Sequence, residues 1–492
     1  MKDSASWGRL MLSLRKRLRF SFIVLLVVFT TIFFQNCGGQ FKALDLENIK
    51  VAANDQPSTS DDDDNYSEGE DNNNDDDVLP PIVDEEEDTA NFGLKGDCQT
   101  DDTEALRNFF KKGGLLKKPS GSCYLISDTI FIPSNIEVHG QGKSTLIKMQ
   151  VPYGSYARPV LDLSGSGSRA TANIHLSKFA IDAGGQFMNR PPIKYNGNIG
   201  YGNAITVQSS DSTLTDMWIK NSWDNGIGFY QLGCIGDNNP NQQCNGHPLN
   251  VTALRIECEK SGIGEGSHML GACVNALTSR NTLIADSIDR GSSSGFTVDY
   301  WGGATATLRN LKTYNNKIAG FWIGTPFVSI ENVESHGVQV RPAQLGNETA
   351  GHGMVIERFA SNRGPLGQVP QVGSLKNFKS TNADRHGLVI AASGWKIENV
   401  EIVDPNRLQK NFAAILGLVN LIEVTGVPVG VSNTTVINPQ VRSTNSSSSF
   451  DYGYDEETRN AGCISIDIQG GQLGGRVAEK SPRAGKSPCG NF

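Results

Sequence analysis

A pattern that occurs four times between Leu283 and Ile390 constrains the fold of this chain more than any other feature. Each unit has a short apolar alternation, a polar turn rich in Asn, Ser and Asp, a glycine, and an apolar–any–apolar strand. The glycines that mark the units are Gly295, Gly320, Gly353 and Gly387, at intervals of 25, 33 and 34 residues. A constant motif at variable spacing is typical of a solenoid, because the strands must stack whereas the loops can differ in length. The short strands and the missing helical period predict an all-β protein, a single-stranded parallel β-helix.

Further strands of the same kind extend the predicted solenoid in both directions. They lie near Ile147, Leu161, Gly202, Gly226, Ala272, Ala414 and Cys463. Together they predict about 10–12 coils, which at one interstrand spacing per coil would form a rod roughly 50–60 Å long. We therefore assign residues 91–470 to the β-helix domain and residues 471–492, which lack the periodicity, to a C-terminal cap.

The first 36 residues have the composition of an export signal. Six Lys or Arg residues precede an apolar run of 15 residues, Phe20 to Phe34, which suits a signal peptide and is short for a transmembrane helix. The following segment, FFQNCGG, contains Cys37 and resembles the lipobox of bacterial lipoproteins. The resemblance implies a signal peptide over residues 1–36, lipidation of Cys37, and an outer-membrane lipoprotein whose periplasmic or surface orientation stays open. The alternative is an uncleaved membrane anchor.

Residues 37–90 are predicted to form a disordered acidic tether. Residues 51–90 contain sixteen Asp or Glu and no Lys or Arg, so this part repels itself and cannot bury apolar surface. Of the formal net charge of −8, the tether accounts for −16, and residues 91–492 carry only +3. The folded part therefore has no basic patch suited to nucleic acid. It also has no Gly-rich strand–loop–helix suited to a nucleotide.

Nine cysteines leave eight for disulfides once Cys37 is assigned to lipid. An exported chain would oxidise them, and no Cys or His spacing resembles a zinc site. Pairing of sequence neighbours predicts four local disulfides, Cys98–Cys123, Cys234–Cys244, Cys258–Cys273 and Cys463–Cys489.

Residues 92–148 form a distinct N-terminal module. Asp101, Asp102 and Thr103 are expected to cap a helix that buries Ala105, Leu106, Phe109 and Phe110 and ends at Gly113 and Gly114. The motifs GD, DDT, GxxYLI, IPSN and GxG, in that order between Gly96 and Gly142, resemble the N-terminal part of the pectate lyase superfamily, with its rhamnogalacturonase- and epimerase-like proteins. The resemblance implies a right-handed β-helix whose first coil is covered by this helix.

Alternation along the strands identifies candidate site residues on an outward face. One outward column is expected to contain Tyr230, Asn275, Asp299 and Glu357, and the column before it contains Trp322. Asp299 and Glu357 would lie two coils apart, roughly 10 Å between backbones, which suits the acid and base of an inverting glycoside hydrolase. Trp322 would provide a stacking platform for a sugar ring, with Tyr230 and Asn275 as further contacts. The alternative is that these residues are merely solvated.

A second set of candidates lies in the turns before the glycines. His352 and His386 are one coil apart, with Asp384 and Arg385 beside His386, and Arg358 follows Glu357. The imidazoles could act as acid or base and the guanidinium groups could neutralise a uronate, which suits β-elimination. The alternative is that these residues are ladder residues of the turns. The segment Gly351-His352-Gly353 resembles an element of polygalacturonases, but the acidic motifs that perform that family's reaction are missing.

These observations predict a cell-envelope protein that binds a polysaccharide. Whether it is an enzyme is uncertain, with the balance towards a polysaccharide lyase or glycoside hydrolase. The alternative is a non-catalytic adhesin or tailspike-like rod, for which the outward Val355 and Val389 would form a contact surface. No cofactor is certain, and calcium is left open; the chain would be a monomer or a homotrimer.

Overall fold

The computed structural model describes residues 92–163, 171–189, 202–230, 248–264, 271–298, 304–340, 350–357, 372–408, 413–419, 430–444, 450–458, 463–475 and 477–479. Within these residues, every strand pairs in parallel with its neighbours, and successive strands stack coil upon coil. The chain is therefore an all-β, right-handed parallel β-helix, as predicted. No helix in the described part is long and apolar enough to cross a membrane.

The coils build two long sheets and one short one. The twelve-stranded sheet comprises β3 (Ile130–Phe131), β7 (Leu161–Leu163), β11 (Ile205–Val207), β13 (Ile227–Phe229), β15 (Ala272–Ala276), β18 (Ser294–Val298), β20 (Ala319–Ile323), β22 (His352–Glu357), β24 (Leu388–Ala391), β26 (Ala413–Val419), β29 (Tyr452–Thr458) and β32 (Val477–Glu479). One strand per coil gives twelve coils, at the upper end of the expected number.

The eighteen-stranded sheet covers the rest of the solenoid wall. Its strands are β1 (Gly114–Leu115), β2 (Tyr124–Ile126), β4 (Ile136–His139), β5 (Leu146–Met149), β8 (Ile174–Ser177), β9 (Ala180–Asp182), β12 (Thr213–Lys220), β14 (Thr252–Glu259), β16 (Thr282–Ala285), β17 (Ile288–Arg290), β19 (Ala306–Tyr314), β21 (Val328–His336), β23 (Gly373–Thr381), β25 (Trp395–Val403), β27 (Gly430–Ile437), β28 (Gln440–Arg442), β30 (Cys463–Gln469) and β31 (Gln472–Leu473). The short sheet pairs β6 (Ser155–Tyr156) with β10 (Met188–Asn189).

A column of residues with left-handed backbone bends the strands of the eighteen-stranded sheet. Its members, in coil order, are Lys178, Asp216, Arg255, Asp286, Asn310, Asn332, Asn377, Asn399 and Asn438. Asn and Asp dominate because their short polar side chains tolerate this conformation best. Asn310 Nδ2 donates to Asp286 Oδ1 at 2.7 Å, and each later Asn as far as Asn399 donates to the Asn of the coil before it at 2.9–3.2 Å. The polar turns of the repeat thus form an asparagine ladder.

The repeat glycines stand where the two long sheets approach each other at a corner. A Cβ at Gly320 would lie 2.1 Å from Ser335 Oγ and 2.7 Å from the carbonyl oxygen of Gly353. Beside this corner, the rings of Phe296 and Phe321 stack in the core with centroids 6.0 Å apart. The glycine of each repeat is therefore required by close packing of the core.

The N-terminal helix α1 spans Thr103–Lys112 and covers the first coil. Its buried apolar residues are Leu106, Phe109 and Phe110. Ala105, which we expected to be buried, is only half-buried, and Gly113, with φ 79°, ends the helix as predicted. Phe110 meets Phe179 of a following coil in an edge-to-face contact with centroids 6.4 Å apart. The helix therefore seals the end of the core.

Two of the four predicted disulfides are present, Cys98–Cys123 and Cys258–Cys273. Cys234, Cys244 and Cys489 lie outside the described residues, as do Cys37 and the predicted signal peptide and tether, so those predictions are untested. Strand β30, which begins at Cys463, belongs to the eighteen-stranded sheet rather than to the marker sheet. Parallel pairing also continues beyond residue 470, through β31 and β32.

The outer face of the eighteen-stranded sheet carries charges that are paired across coils. Lys312 lies 3.0 Å from Glu334, and Glu401 lies 3.0 Å from Lys379 and 2.7 Å from Arg442. All these groups are partly exposed, so each pair stabilises the fold only weakly. Their main effect is that this wall of the rod is solvated and has little net field.

Candidate functional site

The predicted site residues that the structure describes lie on the outer face of the twelve-stranded sheet. One outward column contains Asn275, Thr297, Trp322, Val355 and Val389 on consecutive coils. Trp322, Val355 and Val389 belong to an apolar cluster separate from the main core, so they face outward. Consecutive positions are one interstrand spacing apart, about 4.8 Å.

The register of Asn275 differs from the expected one. Asn275 pairs with Gly228 and Thr297, so it lies in the column of Trp322 and not in that of Tyr230. The reason is that Cys273, rather than Ala272, occupies the corner that glycine occupies in other coils. Cys273 can do so because its side chain turns inward to the disulfide with Cys258.

Three polar atoms in this column are buried without hydrogen-bond partners among the described residues. They are Asn275 Oδ1, Thr297 Oγ1 and Trp322 Nε1. A buried polar group without a partner loses roughly 1–3 kcal/mol relative to a satisfied one. One acceptor, one hydroxyl and one donor therefore stand in a row, each on its own coil, where a polar ligand or water would satisfy them.

His352 and His386 form a stacked pair beside this column. Their ring centroids are 5.3 Å apart and their planes are inclined by 11°. Nδ1 of His386 lies 2.6 Å from the carbonyl oxygen of Ala413, so this nitrogen carries the proton and Nε2 carries the lone pair. Burial lowers the pKa of His386 to about 4, the bond to Ala413 opposes this shift, and the charge of Arg385 adds to it. His386 is therefore neutral near pH 7.

Asp384 holds the neighbouring turn in place. Its carboxylate accepts hydrogen bonds from the backbone N–H of Val340 at 2.8 Å and from Arg407 Nη2 at 2.7 Å. The backbone N–H of Arg385 donates to Gly351 O at 2.9 Å. These contacts favour a positioning role for Asp384 over the proposed catalytic one.

The predicted acid–base pair is only half described. Glu357 ends β22 on the outward face, but Asp299 and Arg358 lie outside the described residues. The residues that precede the two carboxylates, Val298 and Ile356, occupy the same column with Ile323 between them. Their strands are two spacings apart, as expected for the predicted pair.

Tyr230 belongs to a polar network that the sequence did not suggest. Its hydroxyl accepts a hydrogen bond from Asn225 Nδ2 at 2.6 Å, and Asn225 Nδ2 also lies 3.0 Å from Asn203 Oδ1. The tyrosine ring covers Gly228, where a Cβ would lie 2.1 Å from it. The sequence feature that could have indicated this network is Gly228, an outward-facing glycine two residues before Tyr230. Tyr230 is buried and therefore closes this part of the face instead of offering a stacking surface.

The described candidate residues on this face are buried. Trp322 is 5% exposed, Glu357 7%, His352 3% and His386 5%. Trp322 is therefore not an open platform in this structure. Val355 and Val389 are also buried, so they do not form the exposed contact surface expected for a rod-like adhesin.

No calcium site emerges from the described residues. The single group of three potential metal ligands among them is Cys258, Cys273 and Asp289. Its two sulfur atoms are joined in a disulfide, so it does not suit a metal ion.

No protein-family model and no curated protein matches the chain in sequence. Similar solved structures include PfbA, a surface adhesin of Streptococcus pneumoniae, at 14% identity over 82% of this chain and 96% of that chain, with a TM-score of 0.48. A hyperthermoactive exopolygalacturonase from Thermotoga maritima is 12% identical over 77% and 91%, with a TM-score of 0.47. The A-module of mannuronan C-5 epimerase AlgE4 from Azotobacter vinelandii is 15% identical over 80% and 99%, with a TM-score of 0.44. At these values the likeness carries no argument on activity, and the assignment of the fold rests on the strand pairing.

Proposed function

We propose that the outer face of the twelve-stranded sheet binds a polysaccharide. The observation that carries the proposal is the row of unpartnered polar atoms at Asn275, Thr297 and Trp322. Sugar hydroxyl groups both donate and accept, so one extended glycan could satisfy an acceptor, a hydroxyl and a donor on successive coils. Asn275, Thr297 and Trp322 are buried in this structure, so binding requires that they become accessible to the glycan.

The chemistry that best suits this face is cleavage of the bound glycan. In hydrolysis, Asp299 or Glu357 would give its proton to the glycosidic oxygen, while the other takes a proton from the water that adds to the anomeric carbon. In β-elimination, Nε2 of His386 would remove the proton next to a uronate carboxylate. The glycosidic C–O bond would then break, leaving a double bond in the sugar ring, and the leaving oxygen would take up a proton from water. Arg385 and Arg358 would neutralise the carboxylate.

The place of action that we propose is the cell envelope. Cys37, in its lipobox-like context, would attach the chain to the outer membrane, and residues 37–90 would hold the β-helix away from the lipid surface. Labelling of the full-length chain with a fatty acid in a bacterial host, compared with Cys37→Ala, tests this attachment.

The activity is tested by incubating the full-length chain with neutral and uronate-containing polysaccharides. Formation of reducing ends reports hydrolysis, whereas absorbance of an unsaturated product reports elimination. Glu357→Gln should lower the rate about 100-fold or more, and Glu398→Gln, on the exposed face of the other sheet, should not change it. Equal rates for the parent and Glu357→Gln would contradict the proposed role of Glu357.

A non-catalytic glycan-binding rod is the second candidate. The burial of Glu357, His352 and His386 favours it, because groups that a solvated substrate cannot reach do not catalyse. Binding of a glycan without either product, and without any effect of Glu357→Gln, would establish this candidate instead.

A further inference from the structure

A pocket of about 210 Å³ opens on the outer face of the eighteen-stranded sheet, near the N-terminal end of the rod. Its floor follows one outward column, Leu146, Ala180, Trp218 and Glu257, on consecutive coils. Ala180 is small and stands between the larger Leu146 and Trp218, so the wall is recessed there. The volume is below the roughly 300–1,000 Å³ of sites for drug-sized ligands, which points to a ligand with a single ring.

The indole of Trp218 is held in place from two sides. Its Nε1 donates to Glu257 Oε2 at 3.1 Å, and the ammonium group of Lys143 lies 5.3 Å from the ring centroid. Lys143 Nζ also lies 2.7 Å from Glu257 Oε2, which closes a three-residue arrangement. A ring fixed before binding loses little rotamer freedom when a ligand packs against it.

The charges around the pocket cancel in pairs. Lys143 pairs with Glu257, Lys220 Nζ lies 3.5 Å from Asp182 Oδ2, and Lys260 Nζ lies 3.0 Å from Glu259 Oε1. Of the charged residues that line the pocket, two are cations, Lys143 and Lys220, and two are anions, Glu257 and Glu259, so the lining has no net charge to select an ion. The same groups offer many hydrogen-bond donors and acceptors at partly exposed positions.

We propose that this pocket binds one neutral hexose unit of a glycan. The apolar face of the sugar ring would lie against Trp218 and the small Ala180, and its hydroxyl groups would bond to the amines and carboxylates at the rim. A uronate or an amino sugar would gain nothing from the cancelled charges. The pocket is on the other sheet from the proposed cleavage face, so it is a separate site whose test does not depend on that proposal.

The test uses the full-length chain in detergent with cellohexaose, maltohexaose and laminarihexaose as neutral probes. The indole N–H resonance of Trp218 is identified as the signal missing from the NMR spectrum of Trp218→Phe. At least one neutral probe should shift this resonance, and Trp218→Ala should weaken calorimetric binding of that probe about tenfold. Trp218→Phe keeps an aromatic ring and serves as the control for misfolding of Trp218→Ala. It should retain most of the affinity of the parent.

Lys376→Ala serves as the matched surface control, since Lys376 lies on the same face and outside the pocket. It should bind the probe as the parent does. The proposal is overturned if none of the three probes shifts the Trp218 resonance. It is also overturned if oligogalacturonate binds there more tightly than the neutral probes, or if Trp218→Ala binds with parental affinity.

Discussion

Asp289 is a carboxyl group enclosed in the core of the solenoid. It accepts hydrogen bonds from Ser292 Oγ at 2.5 Å and from Asn316 Nδ2 at 2.6 Å. Burial nevertheless raises the pKa of Asp289 to about 7, against these bonds. Between about pH 4 and pH 7 the folded chain therefore holds a proton that the unfolded chain releases, so the free energy of unfolding falls as the pH rises through this window.

Asp289→Asn should remove the contribution of Asp289 to this dependence, whereas the contribution of Asp224, whose pKa burial also raises to about 7, remains. Relative to the parent, the variant should gain about 1.4 kcal/mol of unfolding free energy per pH unit between pH 5 and pH 7, measured by urea unfolding at each pH. Because the variant and the parent both contain His386 and Asp224, the titration of these two groups cancels in the comparison. Asp216→Asn is the control, because Arg255 lowers the pKa of Asp216 and its contribution is lost only below about pH 4. If the difference in unfolding free energy between Asp289→Asn and the parent did not change with pH, the raised pKa of Asp289 would be contradicted.

Gly320→Ala should destabilise the fold by about 1–3 kcal/mol. The added Cβ would lie 2.7 Å from a backbone oxygen, which cannot move without shifting a neighbouring coil. Gly417→Ala is the matched control, since its nearest neighbours are the ends of side chains at 3.0 Å or more. The midpoints of denaturant unfolding give the loss of stability for Gly320→Ala and for Gly417→Ala. Equal losses of stability would show that the corner at Gly320 has room for a methyl group.

At the scale of single elements, the asparagine ladder can be separated into its conformational and hydrogen-bonding parts. Asn332 has φ 56° and bonds to Asn310 and Asn377. Asn332→Ala loses both the bonds and the tolerance for left-handed backbone, so it should cost about 2 kcal/mol. Asn332→Gly keeps the conformation and should cost less. If the two variants had equal unfolding midpoints, the loss of stability would come entirely from the lost hydrogen bonds of Asn332.

Strands and turns were predictable from the sequence because their causes are local. The strand after each repeat glycine, the helix that ends at Gly113 and the two observed disulfides follow from periodicity and spacing. The register of Asn275 was wrong because Cys273 replaces the corner glycine, and no local pattern announces that exchange. The burial of Trp322 and Glu357 was not predictable either, because the strand pattern does not report tertiary packing on the outer face.

At the scale of the whole molecule, each coil contacts mainly its neighbours. Local destabilisation should therefore spread coil by coil from the mutated residue along the rod. Phe110→Ala opens the cap and should cost about 3–5 kcal/mol locally. Hydrogen exchange should then increase most in β2 and β4 and progressively less towards β24. Phe321→Ala, in the middle of the rod, should instead increase exchange in both directions. Uniform exchange along the rod in Phe110→Ala would mean that the coils unfold as one unit.

The one-way direction of the asparagine ladder bears on how long such a rod can be. Every amide donates towards the N-terminal coils, and the series starts at Asp286, whose carboxylate accepts without having to donate. An additional coil inserted anywhere between Asn310 and Asn399 needs only one more asparagine to continue the series. The insertion creates no new unpaired donor or acceptor in the ladder. The rod can therefore grow or shrink by whole coils while both of its termini stay as they are.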